Sequence, residues 1–360
     1  LSDGSPRRCE RRLMRRRILQ ICPHDSAPFG ELCRRYTRAA AAIDVEITSI
    51  YLAPPQDQPL PYAHYLNIED LSQTALLRKA LGKYTAQVWD LVLCHRYRAY
   101  WAVARTPLAR QRCVVLAHEF GLLRRWQRRL ARRLFAARFK FAGVSAAVAN
   151  ELKRSVGSVL VLPNVLDAQN DAEVLSRQQA LQGLALEPGP FTIGWVGRLH
   201  YKKRPGVAIQ AFQEFRQSCP GARLVMLGDG DLDQLRGAQQ SADLSGVVVA
   251  GHVVGASQYF GAFDVLLHTA EYEPFGMVIL EAMAAGVPVV TDKVAGPAAV
   301  LGDLGVYADR PTPEGFSSAL LRAVAVDKEI YAAAARQRIS DHFSVDALAQ
   351  ALHDCLEVAD

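Results

Sequence analysis

The stretch Glu271-Tyr-Glu273-Pro-Phe275-Gly276-Met277-Val278-Ile-Leu-Glu281-Ala-Met-Ala-Ala-Gly286-Val-Pro288-Val-Val290 decides how the chain is read. Two carboxylates, Glu273 and Glu281, are separated by seven residues. A loop ends at Pro274-Phe275-Gly276, and a run of good helix formers follows. Gly286 is a typical helix-ending residue, Pro288 lies just beyond it, and Pro288–Thr291 reads as a short buried strand. A helix that opens at Gly276 presents the N–H groups of Gly276, Met277 and Val278 and the positive end of its dipole to an anion. Glu281 lies five residues further in, roughly 7.5 Å along the axis. That offset matches the separation of a diphosphate from the ribose of the same nucleotide, where a carboxylate accepts hydrogen bonds from the ribose hydroxyls. Glu273 faces the other side of the phosphates.

Further segments bear on the same reading. Phe191-Thr-Ile-Gly-Trp-Val-Gly-Arg198-Leu is a strand followed by an arginine, with Lys203 five residues later. Leu224-Val-Met-Leu-Gly228-Asp-Gly230 is a strand running into a glycine turn, and Val161-Leu-Pro-Asn164 is a Pro-Asn turn near mid-chain. Together with the Glu273/Glu281 pair, these resemble, in order, the motifs of retaining glycosyltransferases of the GT-B fold, particularly the large bacterial family 4. The resemblance covers most of the C-terminal half and, more weakly, the N-terminal half. It implies two Rossmann-like doubly wound parallel-sheet domains facing a cleft, with a last helix returning to the N-terminal domain. The expected divisions are a basic extension at 1–13, an acceptor-binding domain at 14–164, a nucleotide-sugar-binding domain at 165–342 and the returning helix at 343–360.

The resemblance also implies roles. Arg198 and Lys203 would neutralise the departing diphosphate, as a fork and as a point charge. Gly228, Phe275, Gly276, Met277, Val278 and Glu281 would hold the donor, and Glu273 would orient the sugar. In the first half, His118 resembles the family's histidine near the hydroxyls of the transferred sugar, with Glu119 where many relatives have Asp. Gly30 matches the glycine-rich first turn, although Phe29 stands where relatives often have a second glycine. Family 4 enzymes typically need no metal. Asp229-Gly-Asp231-Leu-Asp233 does not make a calcium loop, because Gln234 occupies the position that requires glycine, so no metal is expected.

Length and composition fit two domains: 360 residues, half of them apolar. No apolar run approaches the ~20 residues of a membrane span. The Arg-rich start has no apolar core of a signal peptide, and Met14 is expected to be the natural first residue. Seven scattered cysteines without a C-x-x-C pair read as reduced thiols in a cytoplasmic protein.

Charge is divided unevenly. Residues 1–164 hold 28 Lys and Arg against 12 Asp and Glu, a net of +16; residues 165–360 hold 14 against 24, a net of −10, which together give +6. One dense basic region is the arm to Arg17. The other is Leu122–Lys140, in which Leu123, Trp126, Leu130, Leu134 and Ala137 recur at helical spacing, and Arg124, Arg125, Arg128, Arg129, Arg132 and Arg133 cover the opposite face. Such a helix suits an anionic membrane surface, or packs its apolar stripe on a core and solvates its charges. No recognised nucleic-acid-binding motif accompanies it, so no nucleic-acid partner is expected.

Strand–helix alternation predicts parallel sheets in both halves. Strands are expected at 17–22, 45–51, 91–95, 114–118, 141–145 and 159–162, then at 192–196, 223–227, 247–250, 265–269, 289–291 and 305–307. Helices are expected at 31–42, 71–88, 122–139, 146–154, 205–217, 232–241, 256–263, 276–285, 313–325, 329–342 and 345–358. Ligands of such sheets bind beyond the carboxyl ends of the strands. Arg198, Gly228, His252, the Glu271–Gly276 loop and the Thr291–Gly296 loop therefore share one rim, with the reactive sugar expected in the cleft.

The expected activity is retaining hexosyl transfer from a nucleotide sugar to an anionic, membrane-associated acceptor such as lipopolysaccharide core, at the inner face of the cytoplasmic membrane. A UDP-sugar is the default donor; GDP- and ADP-sugars stay open. A UDP-sugar epimerase of the same shape would act without an acceptor. A non-enzymatic basic membrane- or nucleic-acid-binding protein would show salt-sensitive binding with no affinity for nucleotide sugars.

Overall fold

The computed structural model describes residues 15–26, 29–56, 58–135, 138–168, 173–230 and 244–357. The extension at 1–13, Met14, the expected helix at 232–241, Asp231, Asp233 and Ala137 lie outside the described residues. The chain divides into two compact units, Leu1–Val165 with Phe343–Asp360, and Leu166–His342.

Unit 1 is built on seven parallel strands: β1 (Arg17–Cys22), β2 (Glu46–Tyr51), β3 (Ala63–Tyr65), β4 (Leu91–His95), β5 (Cys113–Ala117), β6 (Lys140–Gly143) and β7 (Leu160–Val161). Their order is β3-β2-β1-β4-β5-β6-β7. β1, β4 and β5 are almost wholly buried, as expected of parallel strands covered on both faces. Gln20 is the polar exception in β1, and its Nε2 donates to Ser49 Oγ at 2.6 Å and to Cys33 O at 3.2 Å. Ser145 Oγ caps the helix Ala146–Val156 by accepting from Val148 N, which ends β6 at Gly143 rather than at Ser145. The last helix, Val345–Glu357, packs on Phe29–Ala42. It is tied to unit 1 by Arg16 Nη1 to Glu357 Oε1 at 2.6 Å and by Arg112 Nη1 to Leu356 O at 2.6 Å.

Unit 2 repeats the plan with β8 (Thr192–Val196), β9 (Arg223–Leu227), β10 (Val247–Gly251), β11 (Val265–His268), β12 (Val289–Thr291) and β13 (Val306–Tyr307), in the order β10-β9-β8-β11-β12-β13 and all parallel. Helices Pro205–Ser218 and Pro313–Val324 pack together over one face, where Phe212, Phe215, Phe316 and Leu320 join Trp195, Met226 and Leu267 in the core. In both units the chain reverses its direction of winding beside the central strand, between β1 and β4 and between β8 and β11. Such reversals open a crevice at the carboxyl ends of the strands.

Several elements differ from expectation. The helix expected at 71–88 is only Thr74–Leu81, followed by a 3-10 turn at Gly82–Tyr84, because Gly82 weakens the α-helix at that point. Three helices were not foreseen. Arg96–Val103 is hidden by its arginines, Arg177–Gly183 carries a Ser176/Gln179 capping box, and Ala295–Leu301 tolerates Pro297 in its first turn. The edge strand β3 emerges from a proline-rich loop.

Candidate functional site

The site in unit 2 is assembled at the ends of β8, β9 and β11. Arg198 follows β8, is exposed, and makes no hydrogen bond or ion pair among the described residues. The chain then turns through the 3-10 segment Tyr201–Lys203 and enters the next helix at Arg204, which is held at φ 53°. Thr269, buried at the end of β11, anchors this turn. Its Oγ1 lies 2.8 Å from Lys203 O and 3.1 Å from Arg204 O, and it accepts from Trp195 Nε1 at 3.1 Å.

The anchored turn aims Lys203 at Glu273, and Lys203 Nζ donates to Glu273 Oε2. His268 Nε2 is 3.5 Å from the same oxygen, and His268 Nδ1 is 3.2 Å from Thr291 Oγ1. Burial alone would raise the Glu273 carboxyl; the hydrogen bond from His268 and the charge and hydrogen bond of Lys203 overcome it and hold the group at about 2. Glu273 is therefore an anion fixed in direction. The expectation gave Lys203 to phosphate and Glu273 to sugar as separate groups, whereas here they are bonded to each other. Asp292, just after β12, is pushed upward by burial, and its Oδ1 has no protein partner.

Gly276 caps the helix Met277–Ala284 at φ 99°. A Cβ there would meet Ile279 Cδ1 at 2.9 Å, so glycine fits both the left-handed backbone and the packing. The amides of Met277 and Val278 fall in the first turn, which has no intrahelical acceptor for them. Phe275 is buried and anchors the loop, and Glu281 is half-buried in the second turn of the helix. Gly296, in the first turn of Ala295–Leu301, lets that helix touch the loop: a Cβ there would lie 2.0 Å from Glu273 O. Gly228 has φ 142°, and a Cβ would lie 1.9 Å from Gly197 O. It allows the loops after β8 and β9 to keep pairing through Gly197 N to Leu227 O at 2.9 Å and Leu199 N to Asp229 O at 2.7 Å.

The remaining predicted residues lie in unit 1. Gly30 is in the first turn of Phe29–Ala42, where a Cβ would be 3.0 Å from Asp25 O. His118 follows β5 and is joined by His95, the last residue of β4, with His95 Nδ1 3.1 Å from His118 Nε2. Burial pushes His95 down to about 3, and burial, His95 and Arg96 hold His118 well below its usual value. Both rings are thus neutral near pH 7. Glu119 is paired with Arg96.

The helix expected at 122–139 is shorter, Trp126–Phe135. Leu122 and Leu123 precede it and are buried, but Trp126, Leu130 and Leu134 are 62%, 46% and 66% exposed. The stripe therefore does not lie on the core. Arg124, Arg125, Arg129 and Arg133 are exposed and Arg132 is half-buried, whereas Arg128 turns inward over the Tyr97 ring at 4.2 Å.

Sequence reasoning did not single out His268, Thr269, Asp292, His95 or Arg96. Each follows or ends a buried strand on the carboxyl side, and that position was the available signal. Among the described residues there is no cluster of three or more His, Cys, Asp or Glu able to hold a metal ion, and no helix long and apolar enough to cross a membrane. The described cysteines are free.

At its reversal point the doubly wound parallel sheet of unit 2 therefore carries an exposed cation, a buried ion pair and a helix N-terminus, the kind of crevice in which α/β sheets bind their ligands. Residues 190–325 match the family described as glycosyl transferases group 1. A glycogen synthase of Mycobacterium tuberculosis is 34% identical over 185 residues, 45% of this chain and 41% of that protein. The lipopolysaccharide core biosynthesis glycosyltransferase LpsE of Rhizobium meliloti is 36% identical over 110 residues, 28% of this chain and 32% of that protein. The chain thus spans less than half the length of these relatives. The structure of Anabaena Alr3699/HepE in complex with UDP and glucose superimposes with a TM-score of 0.73 at 21% identity, covering 94% of this chain and 99% of that one. The fold is the two-domain GT-B type.

Proposed function

We propose that the protein is a retaining, metal-independent hexosyltransferase that moves a hexose from a nucleotide sugar, a UDP-sugar by preference, to an anionic acceptor at a membrane surface such as lipopolysaccharide core. The observation that carries this reading is the grouping of Arg198, the Lys203–Glu273 pair and the amide end of Met277–Ala284 at the β8/β11 reversal. The UDP and glucose of the Anabaena structure support the donor class, and the Rhizobium relative supports the acceptor class.

The chemistry follows from the groups present. As the bond from the anomeric carbon to the diphosphate oxygen breaks, negative charge grows on that oxygen. In this reading Arg198, Lys203 and the helix amides stabilise that charge. The acceptor hydroxyl then bonds to the anomeric carbon on the face the diphosphate is leaving, and its proton passes to the departing phosphate. Glu273 receives hydrogen bonds from the sugar's hydroxyls and fixes the ring. Glu281 receives those of the ribose.

A thermal-shift comparison of UDP-, GDP- and ADP-hexoses tests the donor. A UDP-hexose at about a hundred times its Kd stabilises the protein by about 2.7 kcal/mol and raises the melting temperature accordingly. No rise with any of the three overturns the reading.

The exposed Trp126, Leu130 and Leu134 beside the arginines support the membrane surface, since an apolar stripe flanked by cations inserts at the boundary of anionic lipids. The triple change Trp126→Ser, Leu130→Ser and Leu134→Ser should abolish co-sedimentation with anionic vesicles and leave the melting temperature within about 2 °C, because surface substitutions change stability little. Undiminished co-sedimentation would remove the membrane from the proposal.

A further inference from the structure

Unit 1 contains its own cavity, about 560 Å³, at the carboxyl ends of β1, β4 and β5. It lies at that unit's own winding reversal and shares no residue with the cation–helix site of unit 2. Its volume falls in the usual range of small-molecule sites, about 300–1,000 Å³. Its charge is lopsided: Arg96, Arg98 and Arg128 line it against one acid, Glu119.

Aromatic rings hold two of these arginines in place. Arg96 lies over Phe29 at 4.6 Å, pairs with Glu119, and is kept at φ 66°, a conformation an arginine rarely adopts. Arg128 lies over Tyr97 at 4.2 Å and donates from Nη1 to Leu122 O at 3.2 Å. Tyr97 in turn stacks on Trp101 at 6.0 Å, with 15° between the rings. Guanidinium groups fixed before a ligand arrives lose little further entropy on binding it. Glu119 pairs with Arg96, and Asp70, outside the lining, bears on Arg98, so the lining itself keeps a net positive charge that suits a phosphate monoester, which carries close to two negative charges at neutral pH. His118, on the same wall and neutral, adds hydrogen-bonding capacity without charge. Arg128 also connects the cavity to the exposed stripe, because it belongs to the helix that presents Trp126 to solvent.

We infer that this cavity binds the phosphate monoester of a phosphorylated sugar, the acceptor of the transfer, through Arg96, Arg98 and Arg128. The inference rests on the transferase reading for the word acceptor, but the binding itself is measured without turnover. Calorimetry of the full chain with a hexose 6-phosphate and with the same unphosphorylated hexose makes the comparison. It is repeated with vesicles carrying a phosphorylated or a dephosphorylated glycolipid headgroup. In at least one of the two presentations, the phosphorylated form binds at least about tenfold tighter, a difference of 1.4 kcal/mol. Arg98→Gln and Arg128→Gln each remove most of that preference while UDP affinity is unchanged. A preference with the soluble sugar identifies a free sugar phosphate, and one seen with vesicles alone identifies a lipid-borne headgroup. Equal binding of both forms in both presentations, or variants that keep the full preference, overturns the inference. Loss of all UDP-sugar affinity in the unmodified protein would instead defeat the transferase reading and leave the phosphate result standing.

Discussion

Arg198→Ala and Glu281→Ala each lower turnover of a UDP-hexose at least about a hundredfold, while the melting temperature stays close to that of the unmodified protein. The size follows from the charge that must be stabilised: removing one preorganised donor from a developing anion costs about 2.7–4 kcal/mol of barrier, or 10²–10³ in rate. Arg198 is exposed and has no partner among the described residues, so its loss leaves no buried group stranded. Its effect should fall on kcat, since the charge it answers is largest in the transition state. In the proposed reading Glu281 answers the ribose instead. Its variant should also lose the ability to distinguish a UDP-hexose from its 2′-deoxyribose counterpart. Near-normal turnover in both variants would defeat the site, and an intact ribose preference in Glu281→Ala would defeat that residue's role.

Lys203→Ala acts through two channels and is expected to show both. Turnover falls about a hundredfold for the same electrostatic reason. The acid limb of stability also changes. The Glu273 carboxyl sits at about 2 in the folded protein against an ordinary 4.5, so as pH falls the unfolded chain takes up the proton first. The stabilisation is therefore complete above pH 4.5 and lost as pH falls toward 2. Without Lys203, burial lifts the folded carboxyl toward its ordinary value, with only His268 opposing. The variant should melt a few degrees below the unmodified protein at pH 7, and the gap should close as pH falls from 4.5 toward 2. Melting curves across that range check this, and parallel curves with a constant gap would show that Lys203 does not act on Glu273.

Much of the architecture was legible in the chain because buried parallel strands read as unbroken apolar runs. Arg17–Cys22, Leu91–His95, Thr192–Val196 and Arg223–Leu227 stand where the pattern put them. The misreadings share a physical cause. Five of the eight residues of Arg96–Val103 are arginine or aromatic, so its buried Ala99, Tyr100, Ala102 and Val103 do not stand out. Ala295–Leu301 looks like a turn, because Gly296 and Pro297 are turn residues everywhere except in the first turn of a helix that has to press against a neighbouring loop. The arginine-rich helix had two readings by periodicity. Only the exposure of Trp126, Leu130 and Leu134 separates them, because an amphipathic pattern reports that a face is apolar and not what covers it.

The order of apolar runs, glycines and charges was enough by itself to determine two parallel α/β units, a helix opening at Gly276, and cations after the first strand of the second unit. Those features depend on neighbours a few residues away, and local periodicity carries them. The tertiary structure alone decided that Lys203 bonds Glu273 across 70 positions of chain, that His268 stands behind the carboxylate, and that three arginines share one cavity in unit 1. Such pairings arise where separate strands end side by side, and strand order is set by how the helices pack across the sheet rather than by any one segment.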